Sequence, residues 1–165
     1  MEAFEQSRVL LKVALVPQNC QSPIDAIKKQ LNSMLLKYID DMKGVPITFS
    51  DIGFPPGKEY GRILGEQPWI HVDVHTTMLL FKPCVGLILK GRISKISESH
   101  TSLLVLGILN ASISSDDMST KYIFNDSNCS WESAQGNLVE GDLMECKVVN
   151  FQHANGVLSL VCTLV

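Results

Sequence analysis

The chain has 165 residues, 45% of them hydrophobic and 19% charged, and a formal net charge of −3. That length fits one large domain or two small ones, and the composition excludes a disordered chain. Through residue 82, nine bases balance nine acids; beyond it, five bases face eight acids, so neither part has the clustered cations that a stand-alone DNA binder needs. No apolar run reaches the ~18–20 residues required to span a bilayer. The opening MEAFEQSR places acids before its first base, unlike a signal peptide. Five cysteines (Cys20, Cys84, Cys129, Cys146, Cys162) are scattered without a C-x-x-C, which reads as a reduced intracellular protein with no cysteine-based zinc site.

Val9–Val16 is an apolar run broken by one lysine and ended by Pro17, which predicts a buried strand. A helix follows. Ser22 is its candidate cap, Pro23 fits its first position, and Asp25 lies where a carboxylate meets free N–H groups. Ile24, Ile27, Leu31, Leu35, Tyr38 and Met42 recur at three- and four-residue steps, so the pattern predicts one apolar stripe on a helix of about five turns, ended by Gly44. Val45–Ile52 has strand-forming residues, GFPPGKEYG is a connection, Arg62–Leu64 fits a short strand and Trp69–Phe81 a long one. The first part, residues 1–82, is therefore α+β, with one long helix packed on a small antiparallel sheet. Pro83 marks the boundary, because it lacks a backbone donor and forces Lys82 to be extended.

Residues 83–165 read as almost all β. Val85, Leu87, Leu89 and Ile93 alternate onto one face, with Lys90, Arg92 and Ser94 on the other. Ser102–Leu109 reads as the second strand, and Asn110–Ile113 starts a third after a bend. A polar insertion, a strand at Lys121–Phe124 and the hairpin loop NDSNCSWESAQGN anchored by Trp131 come next. Leu143–Phe151 and Gly156–Val165 close the chain across the turn QHAN. Five or so strands with a long insertion after the third predict a small closed Greek-key barrel of the OB type.

WIHVDVH raises the question of catalysis, because His71, Asp73 and His75 fall on alternate positions. On a strand they share one face at about 6.6 Å steps, and three in a straight row do not close around one zinc ion. The stretch reads as a half-buried strand with a solvent- or partner-facing side, without a metal. G-x-S-x-G, G-x-x-x-x-G-K-[ST] and G-x-G-x-x-G are all absent, and Asp40-Asp41 and Asp116-Asp117 read as solvated turn or helix-end residues. No enzyme is predicted. For nucleic acid, Lys90 and Arg92 share a strand face, with Lys95 close behind. The hairpin SLLVLGILNASI, where an OB barrel usually stacks bases, contains no aromatic residue.

Several stretches resemble the larger stalk subunits of the RNA polymerases, a family spanning nuclear polymerases I, II and III and their archaeal counterpart. These are KGRISKISESHTSLLVLGILNASI, IHVDVHTTMLLFKPCVG ahead of it, and LLKYIDDMKGVPITFSDI, which is similar to the family's tip helix and following strand with its G-V-P. F-x-P-x-x-G at Phe81–Gly86 is similar to the junction between the tip domain and the OB/S1-like barrel, and Asn110–Ile113 points to the polymerase I branch. The resemblance runs from about Val9 to the C-terminus. It implies a tip domain at 1–82, an OB/S1-like barrel at 83–165, and a non-catalytic subunit without a cofactor that docks on the polymerase I core. Gly44, Val45 and Pro46 would lie at that docking site. A smaller stalk partner, the polymerase I initiation factor and a weak contact with nascent RNA through Lys90, Arg92 and Lys95 are also implied, in the nucleus and nucleolus and away from membranes. This chain ends at Val165, short of the charged tails many relatives carry. A different class stays open beside this one, a free OB/S1-type RNA-binding module in translation or RNA decay, as does a stalk subunit of another nuclear polymerase.

Overall fold

The computed structural model describes residues 3–133 and 136–165. Two compact units divide them, one ending at Lys82 and one running from Pro83 to Val165.

The N-terminal unit contains β1 (Phe4–Leu15), α1 (Pro23–Met34), β2 (Val45–Gly53), β3 (Arg62–Ile63) and β4 (Ile70–Phe81). β4 is central. It pairs antiparallel with β1 over twelve residues, from Phe4 opposite Phe81 to Leu15 opposite Ile70. Its other side is shared by β2 near Phe81 and β3 near Ile70. Alternation along β4 sends Val72, Val74, Met78 and Leu80 to one face, where Ile27 and Leu31 of α1 meet them together with Val13 and Leu15 of β1. Ile27 and Leu31 are fully buried, and each such side chain contributes about 1.5–3 kcal/mol. Thr76 lies on the same buried face and satisfies its hydroxyl by donating to the Ser50 carbonyl at 2.6 Å.

The helix is the main departure from expectation. It spans twelve residues and stops at Met34, not at Gly44, and Ser22 makes no side-chain cap. Leu35 is already extended, and Leu36 takes a left-handed φ of 62°. The reason lies in the return path. The Leu36 N–H donates to the Pro46 carbonyl at 2.8 Å, and the Ile39 N–H to Gly44 at 3.0 Å, so the chain between is folded back onto the start of β2. Those tertiary hydrogen bonds override a stripe pattern that by itself would extend the helix. Asp40–Met42 keep a single 3-10 turn. Leu35 is only half-buried as a result.

In the second unit, β5 (Ile88–Ile96), β6 (His100–Val105) and β7 (Leu109–Ser114) are followed by a short helix, α2 (Ser115–Met118). The small strands β8 (Ile123–Asn125), β9 (Ser130–Ser133) and β10 (Gly136–Leu138) form an inserted sheet, and β11 (Leu143–Ala154) and β12 (Val157–Leu164) finish the chain. β11, β12, β7, β6 and β5 close into a five-stranded barrel, with the one parallel pairing between β12 and β7. This is the OB-type barrel expected from the sequence. Leu89, Ile93, Leu103, Val105, Ile113, Val148 and Leu160 fill it. Gly91 takes an inward position between Leu89 and Ile93, where a Cβ would stand 3.0 Å from the Leu103 Cβ. The pattern seen in the sequence skips this position because the facing Leu103 needs the room.

Two details differ from the sequence reading. Val85 is 61% exposed, because β5 starts only at Ile88 and Gly86, at φ 90°, turns the chain before it. Ser102–Leu109 is not one strand: β6 ends at Val105, and Leu106 and Gly107 turn at positive φ. Asn110–Ile113 lies within β7, paired with Leu104–Thr101, as the third strand expected there. In the insertion, Trp131 is buried against Phe124 with ring centroids 5.0 Å apart. Residues 134 and 135 of the anticipated hairpin loop lie outside the described residues.

Candidate interaction surfaces

Gly44, Val45 and Pro46 are all buried. Val45 is wholly inaccessible, and a Cβ at Gly44 would stand 2.8 Å from the Phe81 carbonyl oxygen. Lys43 reaches this point through a left-handed turn at φ 50°. Val45 pairs with Phe81 and Pro46 with Leu80, so the segment locks β2 onto the end of β4. It shapes a surface without presenting its own side chains.

Lys90 and Arg92 share the outer face of β5, as their spacing requires, and Lys95 is exposed just past a bulge between Ile93 and Lys95. Each of the first two is occupied. Lys90 lies opposite Glu145 of β11 in register and pairs with it at 3.2 Å. Arg92 donates to the Gly141 carbonyl at 2.9 Å. The neighbouring outer face of β6 and β7 carries Ser102, Leu104, Asn110 and Ser112, a hydroxyl and amide surface without a ring on which a base could stack.

His71, Asp73 and His75 share the face of β4 opposite α1 and are half-buried. His75 pairs with Gly53, whose missing side chain leaves room for the imidazole: a Cβ there would sit 2.7 Å from His75 Nε2. Asp73 pairs with Lys12 in register, and Lys58 Nζ stands 3.4 Å from its carboxylate. His71 lies between Ala14 and Arg62, and its buried Nε2 has no hydrogen-bond partner. Among the described residues, no group of three or more histidine, cysteine or acidic side chains is placed to hold a metal. The alternation of WIHVDVH predicts the shared face. It carries no sign of Lys12, Lys58 and Arg62 gathering around it, because strand register brings Lys12 and Arg62 and the loop before β3 brings Lys58.

Cys146 and Cys162 interact inside the barrel. The Cys146 thiol beside it and burial push the Cys162 thiol far up, so it stays protonated and inert as a nucleophile.

Residues 83–130 match the family described as RPA43 OB domain in RNA Pol I. The DNA-directed RNA polymerase I subunit rpa43 of Schizosaccharomyces pombe is 28% identical over 160 residues, covering 93% of this chain and 91% of the relative. The probable DNA-directed RNA polymerase I subunit RPA43 of Dictyostelium discoideum is 31% identical over 125 residues, covering 76% of this chain and 35% of the relative. The DNA-directed RNA polymerase I subunit RPA43 of Mus musculus is 36% identical over 101 residues, 61% of this chain and 30% of the relative. The chain thus spans nearly all of the fission yeast relative and about a third of the other two.

Proposed function

We propose that the chain is a member of the RPA43 family and a non-catalytic stalk subunit of RNA polymerase I, the nuclear polymerase that transcribes ribosomal RNA genes. The observation that carries this reading is the extent of the similarity. It crosses both units in the fission yeast relative, covering 160 residues, whereas a free OB module would share the barrel alone. The N-terminal unit is the tip that docks on the polymerase core. Gly44–Val45–Pro46 acts there by fixing the end of the sheet, since its side chains are buried. A smaller stalk subunit and the polymerase I initiation factor are the further partners, and the nucleolus is the place of work. Contact with nascent RNA through Lys90, Arg92 and Lys95 is weak, since two of the three already have intramolecular partners.

The test is purification of the tagged full chain from cells. Co-elution with the two largest polymerase I subunits is the expected result. Elution with ribosomes or RNA-decay factors would replace this reading with the free RNA-binding module. Elution with polymerase II or III would move the chain to another branch of the family.

A further inference from the structure

The open face of the N-terminal sheet holds a cleft of about 260 Å³ lined by Lys12, Lys58, Tyr60, Arg62, His71 and Asp73. Three cations meet one carboxylate here, which leaves two positive charges. Lys58 touches Asp73 at 3.4 Å, longer than a tight charge-assisted hydrogen bond of about 2.7–2.9 Å, so its ammonium group keeps donors for another acceptor. Arg62 lies over the Tyr60 ring at 5.6 Å. This cation–π contact uses no N–H donor of the guanidinium, which keeps its fork for an anion. His71 contributes a buried Nε2 that no protein atom satisfies. An unpartnered ring nitrogen, two lysines and an arginine therefore line one concavity with a single carboxylate.

We propose that this cleft binds a phosphomonoester dianion carried on a phosphorylated serine or threonine side chain of a partner protein. Charge selects the ligand. A phosphomonoester carries about −1.5 to −2 at neutral pH and matches the two excess positive charges, where a carboxylate supplies only one. Shape selects the source. A nucleic-acid strand presents singly charged phosphates in series and calls for a basic track with stacking rings. This site is one compact concavity, and its tyrosine ring is already in cation–π contact with Arg62. Exposed Leu64 in its lining supplies apolar backing for the residues flanking a phosphorylated side chain. Recognition of a phosphorylated side chain by clustered cations is an established binding mode of other folds, reached here by strand register.

The experiment is a two-dimensional amide NMR titration of the isotopically labelled full chain. The probes are N-acetyl-phosphoserine amide, its unphosphorylated form, N-acetyl-aspartate amide, inorganic phosphate and a hexauridine without terminal phosphate. Saturable shifts at Lys12, Lys58, Arg62 and His71 with the phosphoserine probe, and none with the serine probe, are expected. Arg62→Ala and Lys58→Ala should each weaken that binding by about tenfold or more, with Arg62→Lys recovering part of it and the barrel resonances unmoved. Equal binding of the aspartate probe would overturn the choice of a dianion. Equal or tighter binding of inorganic phosphate would overturn the side-chain source, and tighter binding of the hexauridine at the same residues would make the site a nucleic-acid contact. Absence of shifts with every probe would remove the site. The readout uses the isolated chain, so polymerase membership does not affect its outcome.

Discussion

The two units treat their sheets in opposite ways. The barrel closes β5 onto β11, which removes the open edges, and fills its interior with its own aliphatic side chains. The charges Lys90 and Glu145 on its outside answer each other. The N-terminal sheet stays open, with β1 and β2 as unpaired edges and α1 covering one face. Its other face carries half-buried His71, Asp73 and His75, with three cations beside one carboxylate around the first two. A closed sheet completes its own bonding, and an open one leaves groups whose partners lie elsewhere. Specific recognition is thus better placed on the open face, although the matched OB-domain family lies in the barrel unit, over residues 83–130.

The first way to break this comparison is to disturb the seam that holds the open sheet together. Val45→Asp puts a carboxylate into a site with no solvent access beside Phe81. It should cost more than about 4 kcal/mol, because no partner is present for the charge. Denaturant unfolding reads the loss. A variant that stays as stable as the parent would show that the segment is surface and can carry docking contacts itself. A charge at Val45 thus cannot separate docking from folding.

Leucine truncations then compare the two interiors. Leu31→Ala under α1 and Leu160→Ala in the barrel both remove fully buried side chains and should each cost about 2–5 kcal/mol. Leu35→Ala should cost less than about 1 kcal/mol, since the helix has ended before it and Leu35 is half-buried. Hydrogen exchange should place the lost protection of Leu31→Ala within residues 3–82 and that of Leu160→Ala beyond Pro83. Loss across both regions in either variant would mean that the units unfold as one.

The difference between Leu31 and Leu35 shows where the sequence stops being readable. Ile27 and Leu31 announce a buried stripe, and the periodic signal continues unbroken through Leu35, Tyr38 and Met42. What ends the helix is a hydrogen bond from Leu36 to Pro46, ten residues on, which no local pattern contains. The barrel was legible because alternation is local: each strand declares its inward residues, and five such strands have few ways to close. Its misread points, Val85 and the turn at Leu106–Gly107, are places where apolar residues sit in turns and mimic strand. The face of WIHVDVH could be foreseen and its company could not, since Lys12, Lys58 and Arg62 reach it only through register and a loop.

Gly91 offers a smaller perturbation that touches the barrel alone. Gly91→Ala puts a methyl group 3.0 Å from the Leu103 Cβ on the facing strand. The pair must separate by a few tenths of an ångström in a closed ring of strands with no edge to yield. A loss of about 1–3 kcal/mol is expected, as for other overpacked sites. Thermal unfolding that matches the parent would show that the closed sheet has more slack than its packing implies.

The smallest effect concerns RNA on the barrel's outer face. Lys90→Glu with Arg92→Glu reverses two of the three bases on the outer face of β5, leaving Lys95, which the bulge returns to that face opposite Ser102. Lys90 already spends its charge on Glu145 at 3.2 Å, and Arg92 is held by the Gly141 carbonyl. Exposed pairs of this kind contribute about 0–1 kcal/mol, so stability should barely move. Phosphate contacts by two side chains are screened over about 8–10 Å at physiological salt, and the β6–β7 face has no ring to add the roughly 1–3 kcal/mol per base that stacking provides. The parent chain should therefore bind single-stranded RNA no better than about micromolar and lose affinity steeply as salt rises. The double variant should remove what binding remains and leave co-purification with the polymerase intact. Tight, salt-resistant RNA binding by the parent that survives both substitutions would reverse the comparison between the units, by showing that the closed barrel carries a recognition surface of its own.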